Sequence, residues 1–437
     1  MRAKAWAMAV GAGLLAASLT EPAAAGGAGS SEVIAARQKF FGIQNVDPKT
    51  GAVRDDQVII SWITNASFAA AIKGHVVLLD TFVTRLEVTP GRTPFVIQDI
   101  VNLRPEALFI GHGHFDHADN AAYISAQTGA PIFATPETCD NMALDATNNF
   151  NNHFTSVPTV TCNPVTSRGS IPGSEIVPIN ALRPDVNIIA FKHLHSTNTG
   201  QDDPTAVPVA NPDPAAGNIA CTPTRQGNTV PCNLQDPRDP SLFPAGTPLS
   251  TVMNIATNRT GHGGPISLFY VFTVNGDGAN PFRFVWHNST GDIIDSCALP
   301  NNNPATGQPF EPGQNASGCF PGVMVRGQTV GANLASIMES LAPVDLEIGS
   351  VVSLGFNQNG ERDIISYISH VKPRYFIPNH MTAVAVEGSA LEWKVGFNDA
   401  VTAFGLPSTE LPNILWIVDP NDYLRPIQFD LKTHRGF

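Results

Sequence analysis

Apolar residues along the chain fall in short β-branched runs separated by stretches of helical spacing. Val58–Thr64 and His75–Asp80 are rich in Val, Ile and Leu and flank NASFAAAIKG, with Gly74 as the turn. They predict two adjacent antiparallel strands that open a sheet. Val33–Phe41 predicts a short helix, and Phe95–Leu103 a second one that breaks at Arg104-Pro105. Ala107–Ile110 is a short apolar run bounded by Gly111, which predicts a buried strand; Ala118 onward predicts a helix that stops at Gly129, and Pro131–Ala134 the next strand. Ile188–His193, Ile266–Val274 and Phe282–His287 predict further strands, the last two paired around Asn275-Gly276-Asp277-Gly278. Gly331–Leu341 and Ile364–Val371 predict helices that alternate with strands at Val344–Ile348 and Arg374–Pro378. A helix around Ser389–Phe404 and strands near Asn413–Val418 close the chain. Strand–helix–strand alternation of this kind implies a layered α/β domain.

Two stretches break the pattern. Residues 197–261 and 298–327 are rich in Pro, Asn, Gly and Thr with little periodicity, and both read as loop-rich insertions. At the N-terminus, Arg2 and Lys4 precede the mostly apolar Ala5–Leu19 and then Ala23-Ala24-Ala25, the layout of a cleaved secretory signal. The expected organisation is a signal at 1–25, a lead at 26–57 and one domain over 58–437 carrying the two insertions. The apolar part of the signal is too short for a permanent bilayer span, so an exported protein with no stable membrane anchor is expected, periplasmic or extracellular.

Charge narrows the partners. The formal net charge is −12, and charged residues are only 14% of the chain, so no general attraction for nucleic acid is expected and a small-molecule substrate is. The six cysteines contain no C-x-x-C, and in an exported chain an even count favours disulfides over thiolate metal ligands. The pairs Cys139–Cys162, Cys221–Cys232 and Cys297–Cys319 each bracket a Pro/Asn/Gly-rich excursion that a staple would hold.

The concentrated chemistry lies in Ala107–Asn120, ALFIGHGHFDHADN. His112, His114, Asp116 and His117 form H-x-H-x-D-H between a strand and a helix, in a chain with 12 His among 437 residues. A turn between two rigid elements can aim several side chains at one point, and imidazole and carboxylate suit zinc, iron and manganese. Asp80 stands at the C-terminal edge of the strand that ends in LLD.

With these residues the chain resembles the metallo-β-lactamase fold superfamily, and its order of features is similar to the hydrolase branch that includes L-ascorbate-6-phosphate lactonases and N-acyl-phosphatidylethanolamine phospholipase D enzymes. SWITNASFAAAIKGHVVLLDTF resembles the opening strands of that branch. LRPEALFIGHGHFDHADNAAYISAQTGAPIFATPE resembles its metal motif, and VDLEIGS with HVKPRYFIPNH its closing one. The resemblance runs from about Val58 to His380. It implies an αββα sandwich with metals at one edge of two facing sheets, and hydrolysis by a metal-activated water. His112 and His114 would bind one metal, Asp116 and His117 a second, and His380 would join the second. The third ligand of the first metal would be His195, with His262 and the neighbouring His193 as alternatives.

One position departs from the pattern. Aligning FRFVWHNSTGD on the family's G-D-T-G puts Ser289 where a bridging aspartate belongs, with Asp292 as a substitute if the turn is re-routed. A neutral hydroxyl is a poor bridge between two dications, so one zinc, or two, is expected, with iron or manganese possible. His287 in the same stretch is a further candidate ligand or proton relay. The implied activity is hydrolysis of an ester, lactone or amide, with Asp116 exchanging the proton of the attacking water. The alternatives are a lipid phosphodiesterase, an iron-dependent oxidoreductase or a non-catalytic binding module.

Overall fold

The computed structural model describes residues 29–82, 97–113, 115–118, 120–140, 142, 159–194, 267–275, 280–291, 293, 324–351, 361–380, 397, 401, 405–417 and 424–436. The expected signal, the first insertion, most of the second and most of the helix expected around Ser389–Phe404 lie outside them. So do four of the six cysteines; Cys139 and Cys162 are disulfide-bonded to each other.

Two seven-stranded sheets face each other. The first contains β1 (Gln57–Thr64), β2 (Ser67–Ile72), β3 (His75–Leu79), β4 (Ala107–Phe109), β5 (Ile132–Ala134) and β6 (Cys162–Pro164). β1 to β3 form an antiparallel meander, and β3 to β6 run parallel. The second contains β7 (Val177–Ile179), β8 (Val186–His193), β9 (Ser267–Val274) and β10 (Phe282–Trp286). A small hairpin of β11 (Met324–Val325) and β12 (Gln328–Thr329) follows, and the second sheet resumes with β13 (Val344–Ser350), β14 (Pro373–Asn379) and β15 (Asn413–Ile414). β7 to β10 are antiparallel, and β10, β13, β14 and β15 parallel. The late strand β16 (Ile427–Asp430) returns to pair with β1. Each sheet is thus a meander followed by parallel strands.

Both faces of the sheets are covered, which is why central strands read as continuous apolar runs. All eight positions of β1 are buried. Ile60, Trp62, Phe109, Tyr270, Phe272 and Trp286 fill the layer between the sheets. On the outside of the first sheet, Ile59, Ile63, Leu78 and Leu108 join the buried side chains of α1 (Ser31–Phe41), α2 (Ile97–Asn102) and α4 (Ala121–Thr128). Phe269, Val271 and Val285 do the same on the second sheet with α5 (Val330–Leu341) and α6 (Glu361–Val371). The architecture is the αββα sandwich that the resemblance implies.

Three local expectations need correction. Val58–Thr64 and His75–Asp80 are not neighbours, because Ser67–Ile72 forms β2 between them. Its three alanines have low strand propensity and are held there by burial at every position. The helix expected from Ala118 is divided: the single turn α3 (Phe115–Ala118) ends before Asn120, whose left-handed φ of 73° interrupts the spiral, and α4 then runs to Gly129. Of the C-terminal Asn413–Val418, the described residues 413–417 supply the two-residue β15 alone.

Candidate metal centre

The C-terminal ends of β3, β4, β8, β10, β13 and β14 point to one rim of the sandwich, the side on which open α/β sheets place their ligands. Asp80 follows β3 there with a left-handed φ of 54°, a conformation costly for a residue with a Cβ and common at functional sites. Its carboxylate is fully buried. Oδ1 accepts from the Gly111 amide at 2.9 Å, while Oδ2 accepts from His117 Nδ1 at 2.7 Å and from Asn288 Nδ2 at 2.7 Å. The two nitrogens lie 3.0 Å apart because both aim at that one oxygen.

Asn288, after β10, binds across the sandwich. Its Oδ1 accepts from His112 Nδ1 at 2.8 Å. Reversing the amide would set its oxygen against Asp80 and its NH2 against His112, so the two contacts fix its direction. The approach requires Gly111: a Cβ there would fall 2.2–2.4 Å from the Asn288 amide atoms. From the same side, Leu268 N donates to Gly111 O at 2.7 Å, and the Tyr270 hydroxyl is shared between Ile110 O at 3.0 Å and Phe133 O at 2.9 Å. Burial pushes the Tyr270 phenol well above its ordinary value, so it stays a donor. The second sheet therefore holds the histidine turn by backbone and side chain alike.

Three imidazoles converge at this rim. The His112 and His117 ring centroids are 4.0 Å apart, and those of His117 and His380 4.9 Å. His380 follows β14 with a left-handed φ of 67°, its amide bonded to Asn65 O at 3.3 Å. Among the described residues no complete set of three or more ligating side chains closes on a point. His114, His195, His262, Asp292 and the side chain of Asp116 lie outside those residues, which describe only the backbone of Asp116, in α3.

The donor set that is described fits a metal. Asp80 takes the Nδ1–H of His117 and Asn288 that of His112, so each ring carries its lone pair on Nε2. Carboxylate- or amide-anchored imidazole is the way proteins fix the tautomer of a metal-binding histidine. Ser289 is buried one residue beyond Asn288, and its carbonyl accepts from His287 Nδ1 at 2.9 Å. The residue aimed at the histidines from this turn is Asn288, which the sequence reading did not single out; an Asn beside the position of a missing aspartate is the one signal that pointed to it.

His287 and His193 sit elsewhere. His287 lies on the helix-covered face of the second sheet, stacked on Phe269 with centroids 5.0 Å apart, and its Nε2 is 2.9 Å from Glu347 Oε1. His193 Nδ1 lies 3.1 Å from the Tyr367 hydroxyl in the same layer.

No protein-family model matches the chain. In sequence it is 26% identical over 193 residues to a UPF0173 metal-dependent hydrolase of Pyrobaculum islandicum, covering 43% of this chain and 72% of that relative. A second such hydrolase, from Pyrobaculum neutrophilum, is 33% identical over 78 residues, 18% of this chain and 32% of the relative. Among solved structures, a metallo hydrolase from the archaeon Ignicoccus hospitalis superposes with a TM-score of 0.42 at 10% identity, over 85% of this chain and 98% of that one. A diiron β-hydroxylase from Streptomyces venezuelae gives 0.38 at 9% identity, over 83% and 53%. The chain is thus similar in sequence to metal-dependent hydrolases over part of its length, and its described residues form two facing mixed sheets with helices outside and three histidines at one rim.

Proposed function

We propose that the protein is a metal-dependent hydrolase of small neutral or apolar esters, lactones or amides, exported from the cell. The observation that carries this reading is the convergence of His112, His117 and His380, with Nδ1 of the first two anchored by Asn288 and Asp80. His114 and Asp116 would complete the ligand set from the same turn, and His195 from the end of β8, with His262 its alternative. Asp292 is the remaining candidate carboxylate, while the neutral Asn288 and Ser289 favour one tightly held zinc, iron or manganese over two.

Such an ion, when bound, supplies a Lewis acid that draws the pKa of water toward neutrality and polarises the scissile carbonyl. The protein's own share is orientation and proton handling. Asp80 and Asn288 keep the rings of His117 and His112 in one tautomer and one direction, and this costs nothing further when substrate arrives. The Asp116 carboxylate takes the proton released from water and returns it to the leaving group. A net charge of −12 suits a neutral or apolar substrate better than a polyanion.

His112→Ala should abolish turnover of a panel of chromogenic esters, lactones, amides and phosphodiesters while the circular dichroism spectrum stays that of the wild type. Retained turnover would overturn the assignment, and turnover confined to the phosphodiesters would overturn the substrate class. Export is checked separately, by an N-terminus beginning near Gly26 in protein recovered outside the cytoplasm.

A further inference from the structure

A second group of buried polar side chains lies beneath α6, in an apolar layer where nothing in the proposed chemistry requires it. His287 and Glu347 are both fully buried, and their side chains meet at 2.9 Å. Phe269 stacks on one side of the His287 ring, and Tyr367 stands 5.2 Å away. Gly349 closes the space, since a Cβ there would come 2.7 Å from the Phe376 ring and 3.0 Å from His287 Nε2. Burying such a pair gives little net stability relative to apolar side chains of the same size. Its geometry gives it another use.

We propose that His287, held by Glu347, is a positioning residue that sets the direction in which Asn288 and His380 enter the metal centre. The proposal rests on the hydrolase reading above. His287 ties three parallel strand ends together. Its amide donates to Ile348 O on β13 at 3.1 Å, and its carbonyl accepts from Asn379 Nδ2 on β14 at 2.9 Å. Its Nδ1 donates to Ser289 O at 2.9 Å, which closes the turn that carries Asn288. Because Nδ1 is the donor to Ser289 O, Nε2 is left facing Glu347 Oε1 at 2.9 Å, and burial raises the pKa of that carboxyl above its ordinary value. Asn288 is the next residue along the chain from His287, and His380 the next from Asn379. The ring's bond to Ser289 O thus holds the turn that presents the amide bonded to His112, while the backbone bonds of His287 hold that turn against the strand ends, one of which presents His380.

The test compares Glu347→Gln, which can donate to Nε2, with the near-isosteric Glu347→Met, which cannot. Two readouts separate this proposal from the reading beneath it: Zn2+ affinity measured against a competing chelator, and the 15N signals of the His112 ring in metal-free protein. Gln should keep Zn2+ affinity within about threefold and leave the His112 signals in place. Met should lower affinity by about 10-fold, at the lower end of what outer partners of metal ligands contribute, and shift the His112 signals while the protein stays folded. Equal Zn2+ affinity and unchanged His112 signals in the Met variant would overturn the proposal. If wild-type protein binds no Zn2+, the metal reading fails, and the His112 signals alone decide the positioning role. Should the Met variant not fold, Asn379→Ala, which cuts the tie to β14 and leaves the buried pair intact, is expected to show the same loss; wild-type affinity in it would overturn the proposal equally.

Discussion

β3 begins and ends with a histidine–carboxylate contact, and the two ends behave differently. At its start His75 Nδ1 meets Glu106 at 2.7 Å and its Nε2 meets Asp185 at 3.3 Å, while Lys73 reaches Asp185 at 2.8 Å. Just past its end Asp80 holds His117, Asn288 and the Gly111 amide. Both groups clamp the first sheet to the second, with overlapping residue types and comparable distances. Burial separates them: side chains of the first group are 25–47% exposed, those of His117 and Asp80 not at all. In water the first group competes with solvent and salt and is worth little. Sealed from water, the second cannot lose a partner cheaply.

Asp80→Asn should therefore be the most damaging single change at either end. The new NH2 would face either the donors on His117 and Asn288 or the Gly111 amide. Breaking a buried pair on one side costs about 3–5 kcal/mol. Urea denaturation of metal-free protein measures it, and a loss under about 1 kcal/mol, typical of exposed pairs, would erase the distinction between the two ends.

Asn288→Ala comes next. It removes two hydrogen bonds but leaves Asp80 two of its three donors, so a loss of about 1–3 kcal/mol is expected in the same experiment. Gly111→Ala should cost a comparable amount, because its Cβ would collide with the same amide. Combined, the two changes should cost less than their sum, since the smaller side chain at 288 makes room for the methyl at 111. Strict additivity would mean that the close approach of Gly111 and Asn288 is incidental.

The sequence discloses these regions unevenly, for physical reasons. The His112–His117 turn and Asp80 are readable because an apolar run stops at each, and polar residues at a strand's end must have a purpose. The contact from Asn288 to His112 spans 176 residues, and a neutral amide carries no motif of its own. In VDLEIGS the alternation that suggests a solvent face for Glu347 is real, but α6 covers that face. β2 is hidden by its alanines, and β6, β7 and β16 are too short, at three or four residues, to show a period. The repeated plan of the two sheets, a meander followed by parallel strands, leaves no repeat in the residues because each half keeps only the burial pattern.

The smallest effect belongs to the start of β3, and its sign is fixed. The hydrogen bond to Glu106 raises the His75 pKa above 6.5, assisted by that carboxylate's charge and by Asp185, against the desolvation that lowers it. A group whose pKa is higher in the folded protein adds stability below its unfolded pKa and loses it as pH rises through the folded one. Lys73 is the other charged group facing Asp185. The stability difference between wild type and His75→Gln should accordingly be under about 1 kcal/mol near pH 5.5 and shrink toward zero as pH rises above 7. It should shrink again at 0.5 M salt, since the group is partly exposed. A difference that grew with pH, or that salt left untouched, would place this end of β3 in the same class as the buried one.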